Sequence, residues 1–145
     1  MNKRYWFFII CFIGLIAWRS EIIGEFEGFK KPANFPEPVY DFKRNPVTKE
    51  GFELGRKLFY EPRLSRNNTI SCGSCHIQAF AFTHHGHDVS HGIDDLLGNR
   101  NSPPIQNLAW TKAFFWDGRV FYLDLQPLVP ITSHEEMDEK LSVVF

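Results

Sequence analysis

Cysteine is scarce in this sequence: three occur in 145 residues. Cys72 and Cys75 share one short motif and Cys11 lies in an N-terminal apolar run. No pair is left for a structural disulfide. Charge of one sign is lacking too. Sixteen basic residues against seventeen acidic ones give a net charge of −1. That is not the basic excess of a nucleic-acid surface, so nucleic acid is excluded as a partner. No segment alternates cleanly between apolar and polar residues, which argues against a strand-built domain. There is no internal repeat. A chain of this length accommodates one domain.

Aromatics, in contrast, are plentiful, with 15 Phe and 4 Trp. Such side chains build an ordinary core or cover a large flat apolar group. Composition alone does not separate the two.

Ser71-Cys72-Gly73-Ser74-Cys75-His76 is the stretch the chain is organised around. Cys-x-x-Cys-His is the attachment pattern of a c-type haem. Two thiols one helical step apart can form thioethers with the two vinyl groups of one haem. The adjacent His76 then offers an imidazole nitrogen to the iron. Gly73 and Ser74 are small enough to let a macrocycle approach the backbone. Thr69 or Ser71 can cap the short helix. A zinc half-site or a thioredoxin-like pair are the other readings. Zinc wants a second Cys/His pair at metal spacing, and no further Cys follows. One covalent haem c is the reading we carry forward.

Residues 2–4 are a short basic start, and the fourteen residues Tyr5–Trp18 are almost wholly apolar. That run matches a signal-peptide core and is shorter than the ~20 residues that span a bilayer. No Ala-x-Ala site follows it. Residues 1–20 therefore read as an export signal or a retained N-terminal anchor to the inner membrane. An internal amphipathic helix is the alternative, but no polar face supports it. Export to the periplasm agrees with c-type haem.

Residues 21–46 carry Pro32, Pro36, Pro38 and Pro46, which break helices and ladders. The expectation is an extended connecting segment, followed by a haem domain over 47–145. Thr48 to Tyr60 reads as a capped helix with Phe52, Leu54, Leu58 and Phe59 at helical spacing. Residues 63–68 read as a polar turn. The haem helix is expected to continue past His76 through Phe80 and Phe82. Residues 83–108 form a long His-, Gly- and Asn-rich loop, of a length that invites function. Residues 120–126 look helical, and His134 to Leu141 reads as a short charged helix capped by Ser133.

Several ordered motifs resemble one family. Leu54-Gly55-Arg56-Lys57-Leu58-Phe59-Tyr60, Pro62-Arg63-Leu64-Ser65 and the haem motif come first. Arg100-Asn101-Ser102-Pro103 and Phe115-Trp116-Asp117-Gly118-Arg119 follow, then Gln126, Pro130-Ile131 and Glu136-Met137. Together, over about residues 35 to 145, they resemble the N-terminal domain of the bacterial di-haem cytochrome c peroxidases. The methylamine-utilisation di-haem oxygenases share the fold and several of these motifs.

The resemblance implies a mainly α, cytochrome c-like fold with two haem domains in the complete family. The N-terminal haem would be the peroxide-reactive one. The second would receive electrons from a small cytochrome or copper protein. This sequence holds one Cys-x-x-Cys-His and ends soon after Glu136-Met137. The expectation is that the second haem domain is supplied in cis or in trans.

The resemblance also implies roles for particular residues. Glu136 matches the catalytic glutamate, although His134–Lys140 alone would pass as a solvated helix face. Gln126 matches a distal-pocket glutamine, or is an ordinary exposed residue. Trp116 matches a tryptophan on the electron route between haems, or is core. Asn101 matches a calcium-ligand position at the domain interface. Many members place a distal iron-binding histidine in the 83–108 loop, at the position Ile93 holds here. His91 stands two residues away and is the candidate substitute. With His84, His85 and His87 it is otherwise a solvated loop, or a zinc or copper site. The expected function is reduction of hydrogen peroxide to water by a periplasmic c-type haem peroxidase domain. A mono-haem electron carrier and an oxygenase half acting on a protein substrate are the rivals.

Overall fold

Thr48 sits in extended conformation and its hydroxyl accepts from the Gly51 amide at 3.0 Å, which starts helix α1, Lys49–Phe59. Glu50 lies in the first turn and Arg56 and Lys57 in the last, each complementing the helix dipole. Pro62 ends it and opens a single 3-10 turn, Pro62–Leu64. These features come from a computed structural model that describes residues 26–144. The apolar run at 5–18, read as an export signal or anchor, lies outside the described residues.

The chain divides into two units at residue 30. Residues 26–30 are irregular and carry a Glu27–Lys30 ion pair at 2.6 Å. The remaining description concerns the second unit. It is helical, with no strand among the described residues and three isolated bridges, Ile77–Thr83, His91–Leu97 and Phe114–Val120. The mainly α expectation holds. After α1 come α2 (Cys72–Cys75), α3 (Leu128–Thr132) and α4 (Leu141–Val144), joined by 3-10 turns.

The proline-rich stretch is irregular, and it is docked rather than free. The amides of Val39 and Tyr40 both donate to the Ala109 carbonyl, at 2.8 and 3.0 Å. The Trp110 indole donates to the Pro36 carbonyl at 2.8 Å, and Tyr40 donates to Asp124 at 2.6 Å.

One expected helix is shorter than read and another is absent, for identifiable reasons. The haem helix stops at Cys75 instead of running to Phe82. Ala81 and Phe82 adopt left-handed conformation and turn the chain back on itself. The 134–141 segment is a turn, not a helix. Ser133 accepts through its carbonyl from the amides of Glu136 and Asp138, at 3.1 and 2.9 Å. The Met137 and Glu139 amides reach back to the Pro130 and Ile131 carbonyls of α3. The turn thereby buries Met137, 3% exposed, beside Ile131. A straight helix would have carried Met137 along its own axis instead of folding it onto α3. Pro130 is tolerated inside α3 because amides of a first turn have no helical partner.

The polypeptide core is thin. Ile93, Phe114, Ile131 and Met137 are the buried apolar residues described. No residue of α1 is buried, and Leu54 is 57% exposed. Helical spacing marked that face correctly, but the described chain does not cover it.

The tightest packing is at Gly92, which is buried between the 90–96 loop and the 133–138 turn. A Cβ there would collide with the Glu135 carbonyl and approach the Glu136 Cα to 2.7 Å. Gly92→Ala should therefore lower unfolding stability by about 1–3 kcal/mol, as overpacking does. Denaturant unfolding of the two proteins side by side measures it.

Candidate active site

Ser65 is almost fully buried and pins the approach to the haem motif. Its hydroxyl donates to the Pro62 carbonyl at 2.8 Å and accepts from the Ile70 amide at 3.1 Å. Ser71 then opens α2. Its amide donates to the Ser74 hydroxyl at 3.1 Å, one arm of a capping box. Cys72 and Cys75 lie one turn apart as free thiols. Burial pushes both thiols above their usual value. Cys75 rises to about 11, the Glu136 carboxylate adding to the effect of burial. The small residue at 73 makes room for a protein group: a Cβ there would come within 2.6 Å of the Tyr60 ring.

His76 ends α2. Its Nδ1 lies 2.9 Å from the Phe82 carbonyl oxygen. A carbonyl only accepts, so Nδ1 carries the proton and Nε2 is left with its lone pair for an iron. The left-handed pair Ala81 and Phe82 is what brings that carbonyl back. Nothing in residue type or spacing announced it.

One cavity of about 660 Å³ joins the predicted residues. His76, Asn101, Trp116, Gln126 and Glu136 all line it. Its size is that of a cofactor or ligand site. Gln126 reaches it from the end of the 3-10 turn Leu123–Leu125, and Glu136 from the turn after α3. One carboxyl oxygen of Glu136, Oε2, is buried without a hydrogen-bond partner. Burial raises the Glu136 pKa above the usual carboxylate value, Arg119 opposes this, and Glu135 adds to it. Trp116 is 59% exposed, and its indole donates to the Asn101 main-chain oxygen at 3.0 Å.

Arg100 and Arg119 also line the cavity. Each approaches Asp117 only loosely, at 3.9 and 3.7 Å, and Arg119 lies over the Phe115 ring at 4.4 Å. Two lightly engaged guanidiniums can take carboxylates of a bound group. In the sequence, Arg100 and Arg119 stood out only as members of the ordered motifs.

His91 is not brought to the cavity wall. Its Nδ1 pairs with Asp95 at 2.6 Å, and its ring lies 4.4 Å from that of His87. Burial, with His87 and His91 nearby, lowers the pKa of His84, whose Nδ1 is buried without a partner. Among the described residues, no three His, Cys, Asp or Glu side chains are placed to share a metal ion. Ile93, in the loop where the family's distal ligand was expected, is fully buried, and its amide donates to the Glu136 carbonyl at 2.8 Å.

The di-haem cytochrome c peroxidase family model matches residues 49–145. The chain belongs to that family. It is 39% identical over 116 residues to the methylamine utilization protein MauG of Methylorubrum extorquens, which covers 80% of this chain and 31% of the relative. It is 39% identical over 103 residues to the cytochrome c551 peroxidase of Pseudomonas aeruginosa, 70% of this chain and 29% of the relative. The fold is similar to the crystal structure of a MauG-like protein associated with microbial copper homeostasis. The TM-score there is 0.70 at 37% identity, covering 79% of this chain and 33% of that one. The chain thus spans about a third of the length of these relatives.

The family implies haem c, and the residues present fit it. Two free thiols one turn apart, an imidazole with one nitrogen tied and the other available, and a cavity with an unpartnered carboxyl oxygen are what such a group needs. Cys72 and Cys75 would hold it covalently and His76 would ligate its iron.

His91 faces Asp95 and His87 and does not line the cavity. His91→Gly should therefore leave the spin state of the ferric haem protein and its peroxide-binding rate unchanged. A low-spin to high-spin conversion on that substitution would identify His91 as an iron ligand.

Proposed function

We propose that this chain is the peroxide-reactive haem domain of a periplasmic c-type peroxidase, reducing hydrogen peroxide to water. The observation that carries it is the unpartnered, buried Glu136 carboxyl oxygen in the same cavity as His76. Haem c, when bound, supplies a redox-active iron able to take peroxide as a ligand. The protein's own residues handle the proton. Glu136 accepts it from the near peroxide oxygen and returns it to the departing one, general base and then general acid. The raised pKa suits both roles better than an ordinary carboxylate would. Gln126 donates an amide hydrogen bond to the peroxide or fixes the carboxyl beside it. The Phe82 carbonyl holds the His76 ring in place.

The remaining parts of the reading concern the complete protein. One haem is attached to this chain. Export directs it to the periplasm, with residues 5–18 as signal or membrane anchor. A second haem domain, in cis or in trans, takes electrons from a small cytochrome or copper protein. Trp116, exposed beside the cavity, lies on the electron route toward that domain. Asn101 contributes to a calcium site completed by it. The relatives named for methylamine utilization favour one second reading, an oxygenase half acting on a protein substrate.

Mass spectrometry of the denatured protein, produced in a strain competent for c-haem maturation, should show one added haem. Replacing both Cys72 and Cys75 by Ala should abolish it, and an unmodified wild-type mass overturns the reading. Glu136→Gln should slow the reaction with peroxide by about 10²–10⁴-fold, the usual worth of a positioned acid–base group. Because burial raises the Glu136 pKa, the acid limb of the wild-type rate profile should lie above the usual carboxylate range. The rate should fall as pH drops through that limb and Glu136 loses its capacity as a base. Stopped-flow measurement across pH reads both effects.

A further inference from the structure

The Glu136 turn is clamped from a distance. The Arg66 Nε donates to Asp138 at 2.9 Å and its Nη2 to Asp94 at 2.5 Å. The Arg66 amide donates to the Met137 carbonyl at 3.0 Å. Asn67 adds a second bond to Asp94 at 3.0 Å. Three segments meet here: the approach to the haem helix, the 90–96 loop and the 133–138 turn. The last two are also joined by the bond from the Ile93 amide to the Glu136 carbonyl.

Asp94 and Asp138, at φ 52° and 50°, stand in the left-handed region that non-glycine residues seldom adopt. Each presents its carboxylate to the same guanidinium. Between the two ends of this clamp stand Ile93 and Met137, both buried, and Glu136 immediately precedes Met137. The segment carrying Glu136 is thus fixed on both sides.

We propose that Arg66 is a positioning residue for Glu136: by holding Asp94 and Asp138 together, it keeps the 90–96 loop against the 133–138 turn and the Glu136 carboxyl in the cavity. This rests on the reading of Glu136 as the acid–base group. A guanidinium suits the task because its separate N–H groups serve two carboxylates at once, which an ammonium does with less directional control. The other titratable side chain at the clamp is His134, whose Nδ1 lies 3.3 Å from Asp138. Those acting on Glu136 are Arg119 and Glu135.

The test uses the haem-loaded full chain with Arg66→Ala, Arg66→Lys, Asp138→Asn and Glu136→Gln. Three quantities are read: haem content, the pH profile of the reaction with hydrogen peroxide, and amide hydrogen exchange across 90–96 and 133–138. Arg66→Ala should retain haem and slow the reaction about 10–100-fold, the scale of losing orientation. Its acid limb should move down toward the ordinary carboxylate range, because a loosened Glu136 meets water. Exchange at the Ile93 amide should speed up at least about tenfold, since its acceptor is the Glu136 carbonyl. Arg66→Lys should recover part of each effect. Asp138→Asn, which keeps Arg66, should reproduce the loosening in weaker form and replaces Arg66→Ala should that variant fail to fold. An unmoved limb together with unchanged exchange overturns the clamp while leaving Glu136 in its role. If Glu136→Gln leaves the peroxide rate intact, the reading of Glu136 fails, and positioning by Arg66 falls with it.

Discussion

The site depends on the orientation of one imidazole. His76 can serve an iron only through a nitrogen that is free, on a ring that does not turn. The Phe82 carbonyl meets both conditions by accepting a hydrogen bond from the protonated Nδ1. Bringing that carbonyl home requires two successive left-handed residues, Ala81 and Phe82. Each such residue costs roughly 1–2 kcal/mol, while one hydrogen bond returns about 0.5–1.5 kcal/mol net. The bond alone does not hold the turn. The Ile77–Thr83 bridge, the Thr83 hydroxyl on the Phe80 carbonyl at 2.7 Å, and Phe82 edge-on to Phe59 at 6.2 Å supply the rest. The end of α2, the turn after it and the aromatic end of α1 are thus one device.

The same economy explains the thin core. Among the described residues, four buried apolar side chains are few. The apolar surface is instead distributed around a cavity and along α1. A group that fills the cavity in the folded state and has no site in the unfolded one stabilises folding by mass action. A covalently held group does so without dissociating. In such a design the polypeptide need not be self-sufficient, and its secondary structure can be as short as the four residues of α2.

What was legible in the sequence was what local chemistry requires to be contiguous. Cys72, Cys75 and His76 must be neighbours to share one macrocycle, so their spacing is visible. Thr48 and the dipole-matched charges of α1 act within one helix, so that helix was read to within a residue at each end. The failures share a cause. The 134–141 stretch has helix-forming residues, but burying Met137 on α3 outweighs propensity. The haem helix ends early because His76 needs a carbonyl that a continuing helix would not supply. Arg66 was read as part of a polar turn, because its partners stand 28 and 72 residues away. The ordered motifs singled out Glu136 and Gln126, which line one cavity with His76 although no periodicity links them.

Glu136 illustrates why the surrounding charges matter as much as the carboxyl itself. In the proposed acid–base role, a carboxyl that is too strong or too weak an acid would not serve. Burial raises the pKa of the carboxyl, and Glu135 pushes the same way. Arg119 pulls back. It can do so because Asp117 engages it only at 3.7 Å, so its charge is not spent on a tight ion pair. Its position comes from the turn at Phe115 and Gly118, both with positive φ, which sets the guanidinium over the Phe115 ring. The Phe-Trp-Asp-Gly-Arg turn therefore does more than close a loop. It holds Trp116 at the surface beside the cavity and sets the charge that opposes the burial of Glu136.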